Sequence, residues 1–521
     1  MQPNAKPQTE IDVMHANSWL PASLSLRHLF AGLLLALYAG IAYQVMQLPD
    51  NWLGAAAGLL LAVIGLLWMG KSRQLLLTAL VVAIPLVGFD FSLYYNEKLG
   101  GDHRIAASLL DFALLALAGE YVLTRPAGQR RALQPRELAV LMAALFALGL
   151  VSLNFAQEPR LTMFELIRLG RMIVLALVVA KCVQEGESLN RVIMVLFLMT
   201  IAEGLLGYAQ RISGGQLGIK LIGEPEHVLT QELNGGTAIR VGGTFNHANQ
   251  FARFLGLVLP LALAVTIGGE RRKYRLLAGA ALLIGGGALV VTLSRAAWIG
   301  VTLGSALVFA MLIRRPALRV RAMRSLWAVL AAVTLFVLVN LNTIVARFTT
   351  QDAGSFATRA PMANIALQII ADHPWGVGFG NYRLWLPKYG DPAVPFTFQA
   401  KVHSVYLLVA AELGVVSLIV FLALLAFVFT TSLSLSRRLP PDAAMVAIGI
   451  AGGLLAFSIH GLVDYEEIAR IPILWFQIGL LAALAGQYRA AARATAGPTR
   501  LAANPPRDRG RQPADPGMPV L

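Results

Sequence analysis

The feature that most restricts this chain is one repeated unit. Apolar runs of about 20 residues, long enough to cross a bilayer as a helix, recur from residue 27 to residue 488 and are parted by short polar stretches. Hydrophobic residues make up 57% of the 521 and charged ones only 14%, which is too apolar for a soluble protein. We read spans at 27–47, 52–70, 74–89, 105–124, 135–153, 163–182, 190–212, 246–268, 274–293, 296–313, 323–343, 403–431, 441–463 and 470–488. The pattern predicts an all-α, polytopic transmembrane helical bundle of about 12–14 spans.

The net charge of +15 would suit a nucleic-acid binder, but its distribution argues otherwise. Lys71/Arg73, the group from Arg125 to Arg136, Lys181/Arg191, Arg271 to Arg275, Arg314 to Arg324, Arg437/Arg438 and the C-terminal tail fall at alternate membrane exits. That is the positive-inside pattern, and it predicts that both termini are cytoplasmic. Nucleic acid is therefore not expected as a partner. The first 26 residues lack a signal-peptide layout, so the first span is expected to be an uncleaved anchor. The lone cysteine, Cys182, has no internal disulfide partner.

The expected organisation is a cytoplasmic segment at 1–26, a bundle at 27–343 with an outer loop at 213–245, an outer cap at 344–402, spans at 403–488, and a disordered cytoplasmic tail at 489–521. Within the cap, TRAPMANIALQIIADHP reads as an amphipathic helix with Met362, Ile365, Ile369 and Ile370 roughly on one side, stopped by Pro374. Gly376, Gly378 and Gly380 then predict a tight turn. GVGFG lacks the full spacing and the strand context of a nucleotide loop.

Charges on the outer side break the topology rule and so call for a reason. Arg168 and Arg171 share one face of the sixth span, with Glu165 one turn before them. An arginine at the bilayer centre costs about 2.5–3.5 kcal/mol on insertion scales, so both should face the bundle or a wet cavity. A Glu165–Arg168 pair with Arg171 snorkelling is one reading. The other is an anion site, because one carboxylate neutralises one of two guanidiniums, and Arg240, Arg253, Arg295 and Arg359 gather at the same depth. Guanidinium forks match phosphate oxygens and stay charged at any working pH. Several of them together suggest a diphosphate.

AIRVGGTFNHANQFARFLGLVLP brings Asn246, His247 and Asn249 to the outer end of the eighth span, where Asn246 is also a plausible helix cap. In SRAAWIG, a plain turn accounts for Ser294 better than for Arg295. His403 opens the next span in KVHSVYLLVAAELGV, with Tyr406 one turn on. It is either a satisfied interfacial residue or, with a pKa near neutrality, a group able to take a proton from a hydroxyl. Asp372-His373 and Asp102-His103 lack further ligands at metal spacing, so no metal is expected. His460 with Asp464 reads as a structural or peripheral acceptor pair.

GGTFNHANQFARFL, SRAAWIG, the TRAPMANIALQIIADHPWGVGFGNYR loop and HSVYLLVAAELGV, in that order, closely resemble the O-antigen ligase and polymerase superfamily of bacterial membrane glycosyltransferases. The likeness covers roughly 240–430; further upstream only hydropathy and the arginine-bearing sixth span agree. It implies a C-type glycosyltransferase-like bundle with a helical periplasmic cap loop, in the inner membrane. It also implies an undecaprenyl-diphosphate-linked glycan donor, a lipid A-core or other glycan acceptor, and no cofactor or metal. Carried over by motif, His403 matches the family's loop-end histidine, while Arg359, Arg240 and the sixth-span arginines match its phosphate-binding positions. Two departures are Ser404, where many relatives have Asn, and fourteen spans rather than about twelve.

The expected reaction is transfer of the glycan to an acceptor hydroxyl on the periplasmic face. His403 and Arg359 act in catalysis, Arg168, Arg171, Arg240 and Arg295 hold the diphosphate, and Asn246, His247, Asn249 and Tyr406 support them. Ligation to lipid A-core, polymerisation of the repeat and transfer to protein Ser or Thr share this donor chemistry and stay open. A polyprenyl-lipid or secondary transporter is the alternative of another class; the paired, Gly/Pro-broken helices expected of one are not evident.

Overall fold

In the computed structural model the described residues are 72–86, 90–95, 104–124, 135–184, 189–219, 224, 229–233, 236–339, 341, 345, 359–390 and 401–495. The expected spans at 27–47 and 52–70, the segment 1–26 and the tail beyond 495 lie outside them. The chain divides into two units. Residues 73–118 and 131–521 form the one that holds everything discussed below; in the other, 1–72 with 119–130, only Ser72 and the helical end at 119–124 are described.

The unit is an all-α bundle. Its helices are α1 (Ser72–Ala83), α2 (Leu109–Thr124), α3 (Arg136–Val151), α4 (Pro159–Gln184), α5 (Leu189–Ser213), α6 (Ala248–Gly268), α7 (Arg272–Val291), α8 (Arg295–Ile313), α9 (Pro316–Val339), α10 (Arg359–Asp372), α11 (Tyr382–Trp385), α12 (Val405–Leu413), α13 (Val415–Ser436), α14 (Pro441–His460) and α15 (Pro472–Thr495). Seven of the described helices are long and apolar enough to cross a membrane, as befits a multi-pass membrane protein. α4 also has the length, but Glu165, Arg168 and Arg171 interrupt its apolar surface.

Two antiparallel hairpins, β1–β2 (Asp90–Tyr95 with Arg104–Ser108) and β3–β4 (Leu229–Leu233 with Gly236–Arg240), join the helices. The first shortens the span expected at 105–124, which becomes helical only at Leu109. The reason is a capping box: the Ser108 backbone N–H and hydroxyl donate to Asp111 Oδ2 (2.7 and 2.9 Å), and the Asp111 N–H donates back to the Ser108 hydroxyl (3.4 Å).

Helix α6 is the axis of the bundle. Beyond the polar N-terminal stretch that holds Asn249, Gln250 and Arg253 it is apolar and buried on nearly every side. α14 lies directly against it because a side chain on Gly449 would collide with the backbone of Leu261 and one on Gly453 with the Leu257 carbonyl. Small residues at the contact let helix backbones approach where water exclusion cannot drive them together. α8 packs against both α14 and α6, and α15 lies along α4.

The span expected at 403–431 is two helices. Gly414 separates α12 from α13 at φ +90°, with the Trp375 backbone packed where a side chain would go. A residue with a Cβ there meets both backbone strain and a clash. The break is bridged by the cap: Val415 N–H donates to the Pro374 carbonyl (2.9 Å) and Val377 N–H to that of Ala411 (2.9 Å).

The cap helix forms as its pattern predicts. Met362, Ile365, Ala366 and Ile369 of α10 are buried, and most of them pack with Val402, Leu408 and Ala411 in a small core separate from that of the bundle. The predicted turn is present, with Gly376, Gly378 and Gly380 all at positive φ. Its role is to clasp α4: Asn381 Oδ1 accepts from the Glu158 N–H (2.8 Å), Asn381 Nδ2 donates to the Thr162 hydroxyl (3.0 Å), and that hydroxyl donates to the Phe379 carbonyl (3.0 Å). One loop therefore sets the arginine-bearing α4 against the helix that follows His403. At the other end of the chain, α15 continues to Thr495, so residues 489–495, expected to be disordered, are helical.

Candidate active site

The segment joining α14 to α15, Gly461 to Ile471, is the meeting point of the polar groups. Its four acidic and basic side chains at 464–470 take partners from three parts of the chain: α6, the end of the cap and α4. Arg253, buried on α6, bonds Asp464 (2.6 Å), Glu466 (3.2 Å) and the Tyr465 carbonyl (3.0 Å). Gln250, one turn earlier, donates to Glu466 (2.7 Å). Glu467 pairs with Lys401 from the end of the cap and lies 3.6 Å from Arg470. Arg470 reaches α4, where it bonds Glu165 (2.6 Å), the same carboxylate that pairs with Arg168.

On one side of this segment lies a cavity of about 270 Å³, near the lower end for small-molecule sites. Arg168, Arg171, Arg253 and Arg470 line it together with Ser108, Asp111, Asn246, Gln250 and Glu466 on a largely apolar floor. Four guanidiniums face two carboxylates. Outside the lining, Glu165 and Glu467 back Arg168 and Arg470, while Asp111, within it, bonds Arg171 (2.5 Å). The cluster is thus tolerable in a buried setting, yet its lining holds more guanidiniums than carboxylates.

On the other side lies His403. Its Nδ1 is 4.0 Å from Asp464 Oδ1, and its ring meets Tyr465 edge-on at 5.2 Å. Asp464 Oδ2 also faces His460 Nε2 at 3.4 Å. The two imidazoles differ in access: the His403 side chain is 20% exposed and that of His460 only 3%, which makes His403 the one a substrate can reach. Burial and then the Arg359 charge push the His403 pKa below its ordinary value, against the pull of Asp464. The ring is neutral at neutral pH and can accept a proton. Burial raises the Asp464 carboxyl, but Arg253, the neighbouring imidazoles and the Asn249 hydrogen bond together outweigh it and hold the group ionised. Glu466 goes the other way, pushed up to about 7 by burial despite Arg253.

The expected residues divide accordingly. Arg168, Arg171 and Asn246 line the cavity. Arg240 does not: its guanidinium bonds the Thr292 carbonyl (2.9 Å) and Asn249 Oδ1 (2.6 Å). Asn249 passes the contact on, donating to Asp464 Oδ1 (2.9 Å). Arg295 opens α8 after Ser294 and stands apart from the cavity lining. Arg359 is the first residue of the cap helix, close enough for its charge to act on His403. Tyr406 ties α12 to α14 through the Ser458 carbonyl (2.9 Å).

His247, not Asn246, caps α6, its Nδ1 accepting from the Asn249 N–H (3.0 Å). Burial and Arg240 lower its pKa to about 4, which keeps that nitrogen free to accept. The loop before it is pinned by α5: Glu203 accepts from the Thr244 N–H and hydroxyl (3.0 and 2.7 Å), and Gln210 bonds both backbone groups of Gly243 (2.9 Å each). Among the described residues no group of three or more His, Cys, Asp or Glu side chains is disposed to hold a metal ion.

Four contributors were not singled out as site residues from the sequence: Arg253, Arg470, Glu466 and the central position of Asp464. The signal was present in DYEEIAR, where acidic and basic residues crowd a short outer connection, and in Arg253 one helical turn from Asn249.

A multi-pass helical bundle with an arginine-lined cavity, a histidine on the same α14–α15 connection and a helical cap defines the class as a polytopic membrane protein with a cation-rich pocket. Residues 280–422 match the family described as O-Antigen ligase, so that stretch of the chain is similar to a family of membrane O-antigen ligases and polymerases. The family implies a glycan-transferring enzyme acting on lipid-linked glycans. The match runs from α7 into α13 and includes Arg295, Arg359 and His403; α4 and α6 lie outside it. A comparison with curated proteins finds no match.

Proposed function

We propose that the protein transfers a glycan from undecaprenyl diphosphate to a hydroxyl of lipid A-core oligosaccharide, on the periplasmic face of the inner membrane. The observation that carries this reading is the placement of a cation-rich cavity and a neutral, reachable imidazole on two sides of one connection, joined by Asp464 and Arg253. The diphosphate sits among Arg168, Arg171, Arg253 and Arg470, while Arg240 acts through Asn249 on Asp464. His403 takes the proton from the acceptor hydroxyl as its oxygen attacks the anomeric carbon. The bond from that carbon to the diphosphate oxygen breaks, the electron pair leaves with the polyprenyl diphosphate, and the fixed guanidiniums meet the charge that develops there. Arg359, on the cap helix, closes over the donor. A diphosphate leaves without a protonating acid, so no paired carboxylates of the glycosidase kind are needed.

Polymerisation and transfer to protein hydroxyls use the same donor chemistry, and acceptor choice resides in the loops. Reconstituted protein given labelled donor and each acceptor separately tests the assignment. Label on lipid A-core is expected; exclusive lengthening of the donor glycan would make the protein a polymerase, and label on protein alone an O-oligosaccharyltransferase. A transporter reading predicts flux of lipid with no new glycosidic bond.

A further inference from the structure

The outer side of the cap holds a cluster that the transfer chemistry leaves unused. The His373 ring lies 4.4 Å from that of Trp385, tilted by 60°. Tyr389 donates its hydroxyl to Asp372 (2.8 Å). The Lys388 ammonium stands over both aromatic rings, 4.9 Å from Trp385 and 5.7 Å from Tyr389. His373 Nε2 and Trp385 Nε1 are both buried without a hydrogen bond, which is uncommon for one ring nitrogen and more so for two in contact.

Five side chains from the end of α10 and the turn after α11 thus offer two aromatic faces, a carboxylate, an ammonium and two unsatisfied ring nitrogens. A structural surface patch would be expected to satisfy its own polar atoms; this one is covered by an exposed, flexible lysine that can swing away. Its position also matters. Trp385 and Tyr389 pack against the small cap core, and so does Tyr465, the residue whose ring meets His403. The cluster therefore lies on the histidine side of the site rather than the cavity side.

The geometry points to a carbohydrate-binding platform formed by Asp372, His373, Trp385, Lys388 and Tyr389, which holds sugar residues of an oligosaccharide engaged at His403. Pyranose C–H faces pack on aromatic rings, and sugar hydroxyls, each both donor and acceptor, match the carboxylate, the ammonium and the two ring nitrogens. Displacing Lys388 uncovers the Trp385 face. The inference rests on the glycan-transfer reading for its ligand class, and the oligosaccharide belongs either to the donor or to the acceptor.

Binding is measured on the full-length protein in nanodiscs with two probes: the free oligosaccharide released by mild acid from the lipid-linked donor, and the delipidated core oligosaccharide of the acceptor. Trp385→Ala is expected to weaken one of them by about tenfold, and which one names the source. Tyr389→Ala, which removes the hydroxyl bonded to Asp372, carries the same test should Trp385→Ala not fold. Unaltered affinity of both probes for both variants would overturn the platform, as would failure of the wild type to bind either. Loss of oligosaccharide binding in a protein that transfers nothing would instead keep the platform and remove the donor chemistry.

Discussion

The two sides of the 464–467 connection use charge in opposite ways. On the cavity side, four guanidiniums converge on two carboxylates, Asp111 and Glu466, with Glu165 and Glu467 standing behind them. On the histidine side, one ionised carboxylate, Asp464, is shared by Arg253, Asn249, His403 and His460, and burial with the Arg359 charge keeps His403 neutral against its pull. The first arrangement suits an anion that arrives with its charge and gains more as a bond breaks. The second suits a group that must begin uncharged and end protonated. One segment of chain holds both, which ties leaving-group stabilisation to proton removal within a few residues.

The contrast breaks most sharply at His403. His403→Ala should lower the transfer rate by about 10²–10⁴-fold, the usual worth of a general base, and leave donor binding intact. Wild-type turnover in that variant removes the proposed base. Replacing Arg168 and Arg171 together with Gln strikes the other side. Donor affinity should fall and transfer should slow by about 10²–10³-fold, the scale of losing a donor to a developing oxyanion; kinetics unchanged from wild type would leave the cavity without a diphosphate.

Much of this was legible beforehand, and the rest was hidden for identifiable reasons. The helices and the cap helix follow from apolar period and length, and the depth of Arg168 and Arg171 from their place in a span. Arg240 misled because a depth read from sequence does not say which way a side chain turns, and here Thr292 and Asn249 take it. Arg253 was noted among the outer arginines but given no site role, and Arg470 was not noted, because their convergence depends on α6, α4 and the α14–α15 connection packing together. The break at Gly414 is silent in hydropathy, since both halves are equally apolar; only the backbone conformation of one glycine reveals it.

Two smaller effects sharpen the comparison. The Asp464 carboxylate raises the pKa of His403, so Asp464→Asn should lower it further and move the acid limb of the rate–pH profile to lower pH, beyond any fall in rate. An unshifted limb would detach Asp464 from the base. Glu466, pushed up to about 7 by burial, is neutral below that pH and leaves Arg253 to the donor. Above it the carboxylate competes for Arg253 and repels phosphate, so donor KM should rise by up to about tenfold per pH unit. Glu466→Gln should flatten that dependence, and a slope that survives the substitution assigns it to another group.

The most direct test is a density map of the protein in nanodiscs loaded with undecaprenyl-diphosphate glycan. The account predicts the diphosphate between Arg168, Arg171, Arg253 and Arg470, with the anomeric carbon turned toward His403. A headgroup bound elsewhere, or seated in the cavity with its first sugar pointing away from that imidazole, would contradict it.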